Sequence, residues 1–370
     1  MANFKLSSVN DKQNWSRKYT QEYVRESGFL PYMSTSATAI IRMDKSLGQT
    51  AGSTIRFTYF KRLSGAGVAG SATLVGNEEN LANYGTAVRV AHVRNAVAVP
   101  ESESFRTEID VADVARDSLK SWSAEKLRDD LITAAHSIVI KGGNDTDGNP
   151  VEDTYKTWAA ASAAEKNAHL VNNTDRILFG SALANSSSGV MATALATVAA
   201  SQKLSAGVLQ MAKTMARKTS PFKIRPFTSD ATAGREYYVL FVGSEGFRDL
   251  QNDATIAAAN KDARPRDVET NPIFQSGDLI YNGIIIREIP EIPVVGNVGA
   301  SSAQVGQAFL CGQGALAVAY ARMPEPRLNK LDNDHLIGVG ITEIRGQVKM
   351  SAAGVQTGMV TLFHAAASDA

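Results

Sequence analysis

DVADVARDSLKSWSAEKLRDDLITAAHSIVI, residues 110–140, is the stretch on which the fold reading turns. Thr107, Glu108, Asp110 and Asp113 crowd its start, where capping oxygens and negative charge meet the unpaired N–H groups of a helix. Lys141-Gly142-Gly143 closes it with a cation and two residues that turn left-handed without steric cost. Between these ends Val111, Val114, Leu119 and Trp122 make one apolar stripe. Leu127, Leu131, Ala135 and Ile138 continue it after a slip of about one residue near Ser123. The pattern predicts a helix of roughly 45 Å, with a kink or a second helix allowed at the slip. An element that long needs a sheet or another subunit to lie along. It reads as a spine.

Outward toward the amino terminus, Thr86–Val99 is rich in valine and ends at Pro100. Thr54–Leu63 alternates Ile55, Phe57 and Tyr59 against Arg56, Thr58 and Arg62. The glycine-rich Ser64–Tyr84 between them predicts a long two-stranded ribbon with a mobile tip. Such a ribbon is marginal alone in water, so neighbours should hold it. Residues 1–50 lack a sustained period. Asn14–Arg25 suits a short helix with Trp15, Tyr19 and Tyr23 at four-residue spacing, and Pro31 with Ser34-Thr35-Ser36 predicts an extended arm.

Toward the carboxyl terminus, Gly142–Pro150 is turn-rich, Tyr155–Ala168 weakly helical, and Ile177–Phe179 a short apolar run. Leu204–Lys218 reads as a second helix, Glu236–Val242 as an apolar strand, and Ser244 as the cap of a short helix around Gly246–Leu250. Asn282-Gly283, between Leu279–Tyr281 and Ile284–Glu288, is the strongest short hairpin signal in the chain. Ala308–Cys311, Ile337–Ile344 and Gly358–His364 complete the expected strands. The fold class is α+β.

The chain, at 370 residues, has length for two or three domains, and 38 Lys+Arg nearly cancel 37 Asp+Glu. Bulk charge therefore points to no nucleic-acid or membrane partner. Its distribution is uneven: Met1–Arg62 holds ten basic and four acidic residues, +6 against −5 for the remainder. A basic amino-terminal arm suits a polyanion. Cys311 is the only cysteine, which excludes an internal disulfide and fits a reducing compartment. Met1–Lys12 lacks the apolar core of a signal peptide. Ser181–Gln202 and Ile292–Ala321 are too interrupted by polar residues, glycine or proline to span a membrane, so a soluble chain is expected.

Motifs that carry chemistry fail in context. Gly65-Ala66-Gly67-Val68-Ala69-Gly70 spells a dinucleotide fingerprint, but Ser71–Gly76 opens no helix and no acidic residue follows about 20 positions on. Asp145-Thr146-Asp147-Gly148-Asn149 begins like a calcium loop, yet Pro150 stands where glycine is needed. His92, His136, His169, His335 and His364 have no metal-ligand spacing, and His335 beside Asp332 and Asp334 reads as a surface turn. Ser123-Ala124-Glu125-Lys126 matches S-x-x-K without its companion motifs. No catalytic, cofactor or metal residue is expected.

The order of elements carries a resemblance. Leu63-Ser64-Gly65-Ala66-Gly67, Gly76-Asn77-Glu78-Glu79-Asn80-Leu81 and Arg94-Asn95-Ala96-Val97 resemble the ribbon of the podophage-type major capsid protein family. Leu119-Lys120-Ser121-Trp122 resembles that family's spine segment. Asp332-Asn333-Asp334-His335, followed by Gly338–Gly346 and Lys349, resembles its carboxy-terminal signature. The resemblance covers nearly the whole chain. It implies the Hong Kong 97-type capsid fold of tailed bacteriophages, shared with herpesviruses and encapsulin compartments. Implied divisions are an N-terminal arm at 1–50, an extended β-ribbon loop at 51–100, a peripheral domain at 101–203 with spine helix 110–140, an axial domain at 204–320, and a return to the peripheral domain at 321–370.

It also implies a virion shell protein that assembles in the host cytoplasm as hexameric and pentameric capsomers around double-stranded DNA. Portal, scaffold and decoration proteins are implied partners; a membrane, a cofactor and an enzymatic activity are not. Expected subunit-interface residues are Lys61, Gly65, Gly67, Gly70, Glu78 and Glu79, and expected DNA-facing residues are Lys12, Arg17 and Lys18. Lysine–asparagine cross-linking, known in the wider fold, is not carried over, because no acceptor or catalytic glutamate matches Lys61. An encapsulin-like compartment is the alternative within the fold. A nucleotide-binding enzyme using Gly65–Gly70 is the alternative outside it.

Overall fold

The computed structural model describes residues 28–48, 52–60, 63, 65, 67–71, 73–79, 83–100, 111–143, 151–228, 236–262, 279–331 and 336–368. The chain forms two compact units. One comprises residues 1–55, 88–134 and 316–348; the other comprises 56–87, 135–315 and 349–370.

In the first unit the spine helix runs Val111–His136 without interruption. Ala115, Leu119, Ser123, Leu127 and Leu131 are buried at every fourth position, with Ala124 and Ile132 beside them. The slip expected near Ser123 is absent because Ser123 itself continues the stripe, while Trp122 is only half-buried. The helix also ends earlier than residue 140. Ile138-Val139-Ile140 are three β-branched residues in a row, and they pair antiparallel with Thr154–Lys156 as a strand. Gly142 serves that strand pair, since a Cβ there would meet the Val151 carbonyl oxygen at 2.1 Å.

A five-stranded sheet completes this unit, in the order Met33–Ser34, Ile41–Asp44, Leu316–Leu331, Leu336–Lys349 and Ala91–Pro100. Ala91–Pro100 pairs antiparallel from Leu336↔Pro100 to Arg345↔Ala91. The valine-rich segment is therefore two strands: Asn83–Arg89 belongs to the ribbon, and the rest, after Val90, joins this sheet. Val339, Ile341, Glu343 and Arg345 are buried at alternate positions on one face. Arg345 reaches the spine helix through Asp130 at 2.6 Å and holds Glu343 at 2.8 Å, while Lys126 pairs Asp130 at 2.7 Å. Burial pushes the Glu343 carboxyl above its ordinary range despite Arg345.

Leu131 is fully buried on the spine. Leu131→Ala is expected to cost about 3 kcal/mol of subunit stability, as a lost side chain plus a residual cavity. Denaturant melts that match wild type would remove the spine from the core.

In the second unit a seven-stranded sheet runs Leu279–Tyr281, Ile284–Glu288, Glu236–Val242, Val305–Cys311, Met359–Ala365 and Ile177–Phe179, with Phe227–Thr228 paired to Glu236–Val242. Val305–Cys311 and Met359–Ala365 are buried along their whole length, so neither shows the half-exposed alternation of a surface strand. Helix Ala206–Lys218 packs Val208, Leu209, Ala212 and Met215 with Leu240, Leu310 and Leu362. A second cluster gathers Leu170, Phe179, Leu195 and Phe363.

Local chemistry explains several boundaries. Helix Ala163–Asn172 starts at a capping box of Ser162 and Glu165, so the weakly helical reading of Tyr155–Ala168 holds only for its second half. Asn282 (φ 48°) and Gly283 (φ 72°) both adopt the left-handed conformation that a tight hairpin requires. Asp253 accepts from the Thr255 and Ile256 N–H groups at 2.9 and 3.2 Å, and from Ala206 N–H at 3.1 Å, serving two helix starts at once.

Candidate assembly interface

Thr54–Phe60 and Asn83–Arg89 pair with each other and form a separate two-stranded sheet. Its root is tied to the second unit. Thr86 Oγ1 donates to the Ser351 carbonyl at 2.7 Å, Arg56 pairs with Glu152, and the Tyr59 and Tyr84 rings each meet Phe222 edge-on. Ser351 Oγ donates in turn to Asp153 at 2.6 Å and shares a 2.8 Å hydrogen bond with Tyr155 OH. Burial raises the Tyr155 phenol, which keeps it protonated in this network.

Beyond the root the ribbon is exposed. Glu79 Oε2 accepts from Gly65 N–H at 2.5 Å, and a Cβ at Gly65 would sit 2.7 Å from that oxygen. Glu78 accepts from Gly76 N–H at 2.8 Å. Gly67 (φ 70°) and Gly70 (φ 72°) stand in left-handed conformation with open space around them. Thus Gly65 and Glu79 are brought together and Glu78 lies beside Gly76, while Gly67 and Gly70 shape the tip without side-chain partners to fit. Lys61, Lys12, Arg17 and Lys18 lie outside the described residues, as do the aromatic residues of 14–25, the 145–149 motif and His335.

Phe60, Leu63, Leu74 and Val75 were invisible to sequence reading as a set, because no period links them. Their exposures are 56, 55, 62 and 84%. Four large apolar side chains on a thin ribbon face water in the isolated chain.

A second surface lies on the first unit. A trough of about 760 Å³ is lined by His92, Arg94, Arg322 and Arg327, over small residues including Gly338 and Gly340. Glu325 lies 3.9 Å from Arg322 and 3.8 Å from Arg327.

Two of the chemical motifs fall on described residues and sit in structural surroundings. Among the described residues from Ser71 to Glu79 none is helical, Ser123 Oγ is buried on the spine, and Lys126 is engaged with Asp130. Among the described residues no three His, Cys, Asp or Glu side chains gather as a metal site. No described helix is long and apolar enough to cross a membrane. Cys311 is buried, and burial pushes its thiol up and away from reactivity.

The profile of the phage capsid protein family matches residues 3–367. The chain belongs to this family. The capsid protein chain of the cyanophage Pam1 asymmetric unit is 39% identical and superposes with a TM-score of 0.82, covering all of both chains. The major capsid protein of Pseudomonas phage KPP25 is 23% identical over 360 residues, 94% of this chain and 91% of that one. The capsid of Ralstonia phage GP4 shares the fold at 21% identity and a TM-score of 0.69, over 92 and 90% of the two chains. This capsid protein is therefore a major capsid protein of a phage, with the fold of those shells, and its family points to a structural role. These likenesses favour neither the encapsulin-like compartment nor the nucleotide-binding enzyme.

Proposed function

We propose that many copies of this chain tile a closed icosahedral shell, as hexameric and pentameric capsomers, around the double-stranded DNA of a tailed phage. The observation that carries this reading is the ribbon: tied down at its root, it holds Phe60, Leu63, Leu74 and Val75 in water until another copy covers them. Apolar burial of that kind favours association at about 25 cal/mol per Å² removed from water. The acidic Glu78 and Glu79 complement the Arg94, Arg322 and Arg327 trough, which supports that trough on a neighbouring copy as the landing site. Lys61 and the tip glycines Gly65, Gly67 and Gly70 complete the proposed contact. The unit built on the spine helix takes the peripheral role in this reading, and the body from 204 to 320 the axial one. Assembly occurs in the host cytoplasm, with portal, scaffold and decoration proteins as further partners.

Sedimentation and negative-stain microscopy of the purified chain test the reading. Megadalton closed particles are expected; a compact monomer at all concentrations would reject it. The basic arm is proposed to face the packaged DNA as counter-ions without reading sequence. Neutralising Lys12, Arg17 and Lys18 together should leave empty shells unchanged and lower the stability of filled ones, with a shallower salt dependence. Identical salt profiles for filled wild-type and neutralised shells would make that charge incidental.

A further inference from the structure

The ribbon's outermost described anchor is a single ring. Phe222 is 2% exposed and stands between Tyr59 on the outgoing strand and Tyr84 on the returning one. Centroid separations are 5.2 and 5.3 Å, with interplanar angles of 82 and 88°. Both contacts are edge-to-face, a geometry that fixes ring direction as well as distance.

Phe222 itself is held from behind. Arg176, fully buried, donates through Nη2 to the Phe222 carbonyl at 2.7 Å, through Nη1 to the Gln356 carbonyl at 2.8 Å, and through Nε to Asp175 at 3.1 Å. Asp175 accepts from Ser220 N–H at 2.9 Å, and Thr219 Oγ1 accepts from Ile224 N–H at 3.2 Å. The loop bearing Phe222 is thus bound to the residues that lead into sheet strand Ile177–Phe179. Tyr59 also borders a recess of about 400 Å³ lined by Arg217, Lys223, Arg225 and Tyr238. That recess leaves room for Tyr59 to move if the ring is removed.

We propose that Phe222 is a positioning residue that sets the angle of the ribbon, and through it the curvature and size at which shells close. The proposal rests on the ribbon being the intersubunit clasp. Its leverage is geometric. Gly70 is about ten residues beyond Tyr59, up to roughly 35 Å along an extended chain. A tilt of about 10° at the root then displaces the tip by about 6 Å, enough to miss a side-chain-sized pocket.

The test uses the full chain. Phe222→Leu keeps apolar bulk and removes the ring; the pair Tyr59→Leu/Tyr84→Leu removes both partner rings from half-buried positions; Tyr59→Phe/Tyr84→Phe keeps those rings. In unassembled subunits, amides near 57–60 and 83–86 should exchange about tenfold faster in both leucine variants, with Val305–Cys311 unchanged. Shells from those variants should spread over several diameters, while the phenylalanine pair gives wild-type exchange and a single wild-type diameter. One wild-type diameter from the leucine variants would overturn the proposal. So would faster exchange throughout the sheet, which marks a merely structural ring. If loss of the ribbon tip blocks closure while Phe222→Leu shells keep one size, this inference falls and the clasp stands. If shells close normally without the tip, the clasp reading itself falls.

Discussion

Subunits in which Ser64–Gly76 is replaced by an Asn-Gly turn fold normally and stop short of closed shells. The replaced stretch contains no charged residue, and its described part is exposed apart from half-buried Val68, so its loss removes little core. Asn-Gly suits the left-handed pair of a tight hairpin and keeps the two ribbon strands paired. The loss falls on association instead. Leu74 and Val75, 62 and 84% exposed in the free chain, each offer about 1–2 kcal/mol when covered by a neighbour. A deficit of about 2 kcal/mol per contact is roughly 30-fold in each local equilibrium, and the contact recurs throughout a shell. Circular dichroism should match wild type, while microscopy shows capsomers or small aberrant particles. Normal shells in normal yield would remove the ribbon from assembly.

Acid should destabilise the subunit through its buried imidazoles, before carboxylates in the ordinary range protonate. Burial depresses the pKa of His136 from 6.5 to about 3, with Lys349 and then Lys166 adding to the effect. His169 is lowered to about 3 by burial and then by Lys349. Its Nδ1 faces Asn173 Nδ2 at 3.2 Å. An unfolded chain takes up protons at both imidazoles below about pH 6.5, whereas the folded chain does not until about pH 3. The histidine contribution is therefore intact above pH 6.5 and declines as pH falls. At about 1.4 kcal/mol per unit per histidine, the two together remove about 4 kcal/mol by pH 5. Buried His364, also lowered, acts with the same sign. Lys349, held down to about 7 by burial, makes its change between that value and its ordinary 10.5, outside this window. Urea midpoints from pH 7 to pH 5 measure the decline, and His136→Gln/His169→Gln should flatten it. A flat wild-type profile would show that the imidazoles are not buried neutral.

Much of this fold was legible where one local signal dominates. Glu236–Val242 is uniformly apolar and β-prone, and Asn282-Gly283 fixes its own turn. Leu316–Leu331 carries no strand signal along its length, since Pro324 and Pro326 argue against one. Its pairing with Ile41–Asp44 is confined to Leu316–Ala319, so that neighbour asks no N–H of either proline, and both rings are buried. The apolar residues of Ile138–Ile140 extend the helical stripe in sequence, but the β-branched run and a strand partner 14–18 residues away decide otherwise. Arg345 could not be foreseen. Its burial depends on Asp130, some two hundred residues earlier in the chain, and no local pattern encodes such a pair. The interface divides the same way. Gly65 and Glu79 belong to a recognisable string, whereas Phe60, Leu63, Leu74 and Val75 become a surface only once the ribbon has left them without a core.

The way the chain alternates between its two units has a consequence in time. Five crossings, at 55/56, 87/88, 134/135, 315/316 and 348/349, mean that neither unit is encoded by a continuous segment. The five-stranded sheet lacks an interior strand until Lys349 has been made, and the larger sheet lacks one until Ala365. On a ribosome adding about 5–20 residues per second, roughly the first 20–70 seconds yield a chain that can finish neither sheet. The last interior strands of the two sheets end only 16 residues apart, at Lys349 and Ala365, so both sheets are completed within the same few seconds of synthesis. A polysome carrying many nascent copies side by side thus presents no finished partner to seed a shell until Ala365 has left the ribosome.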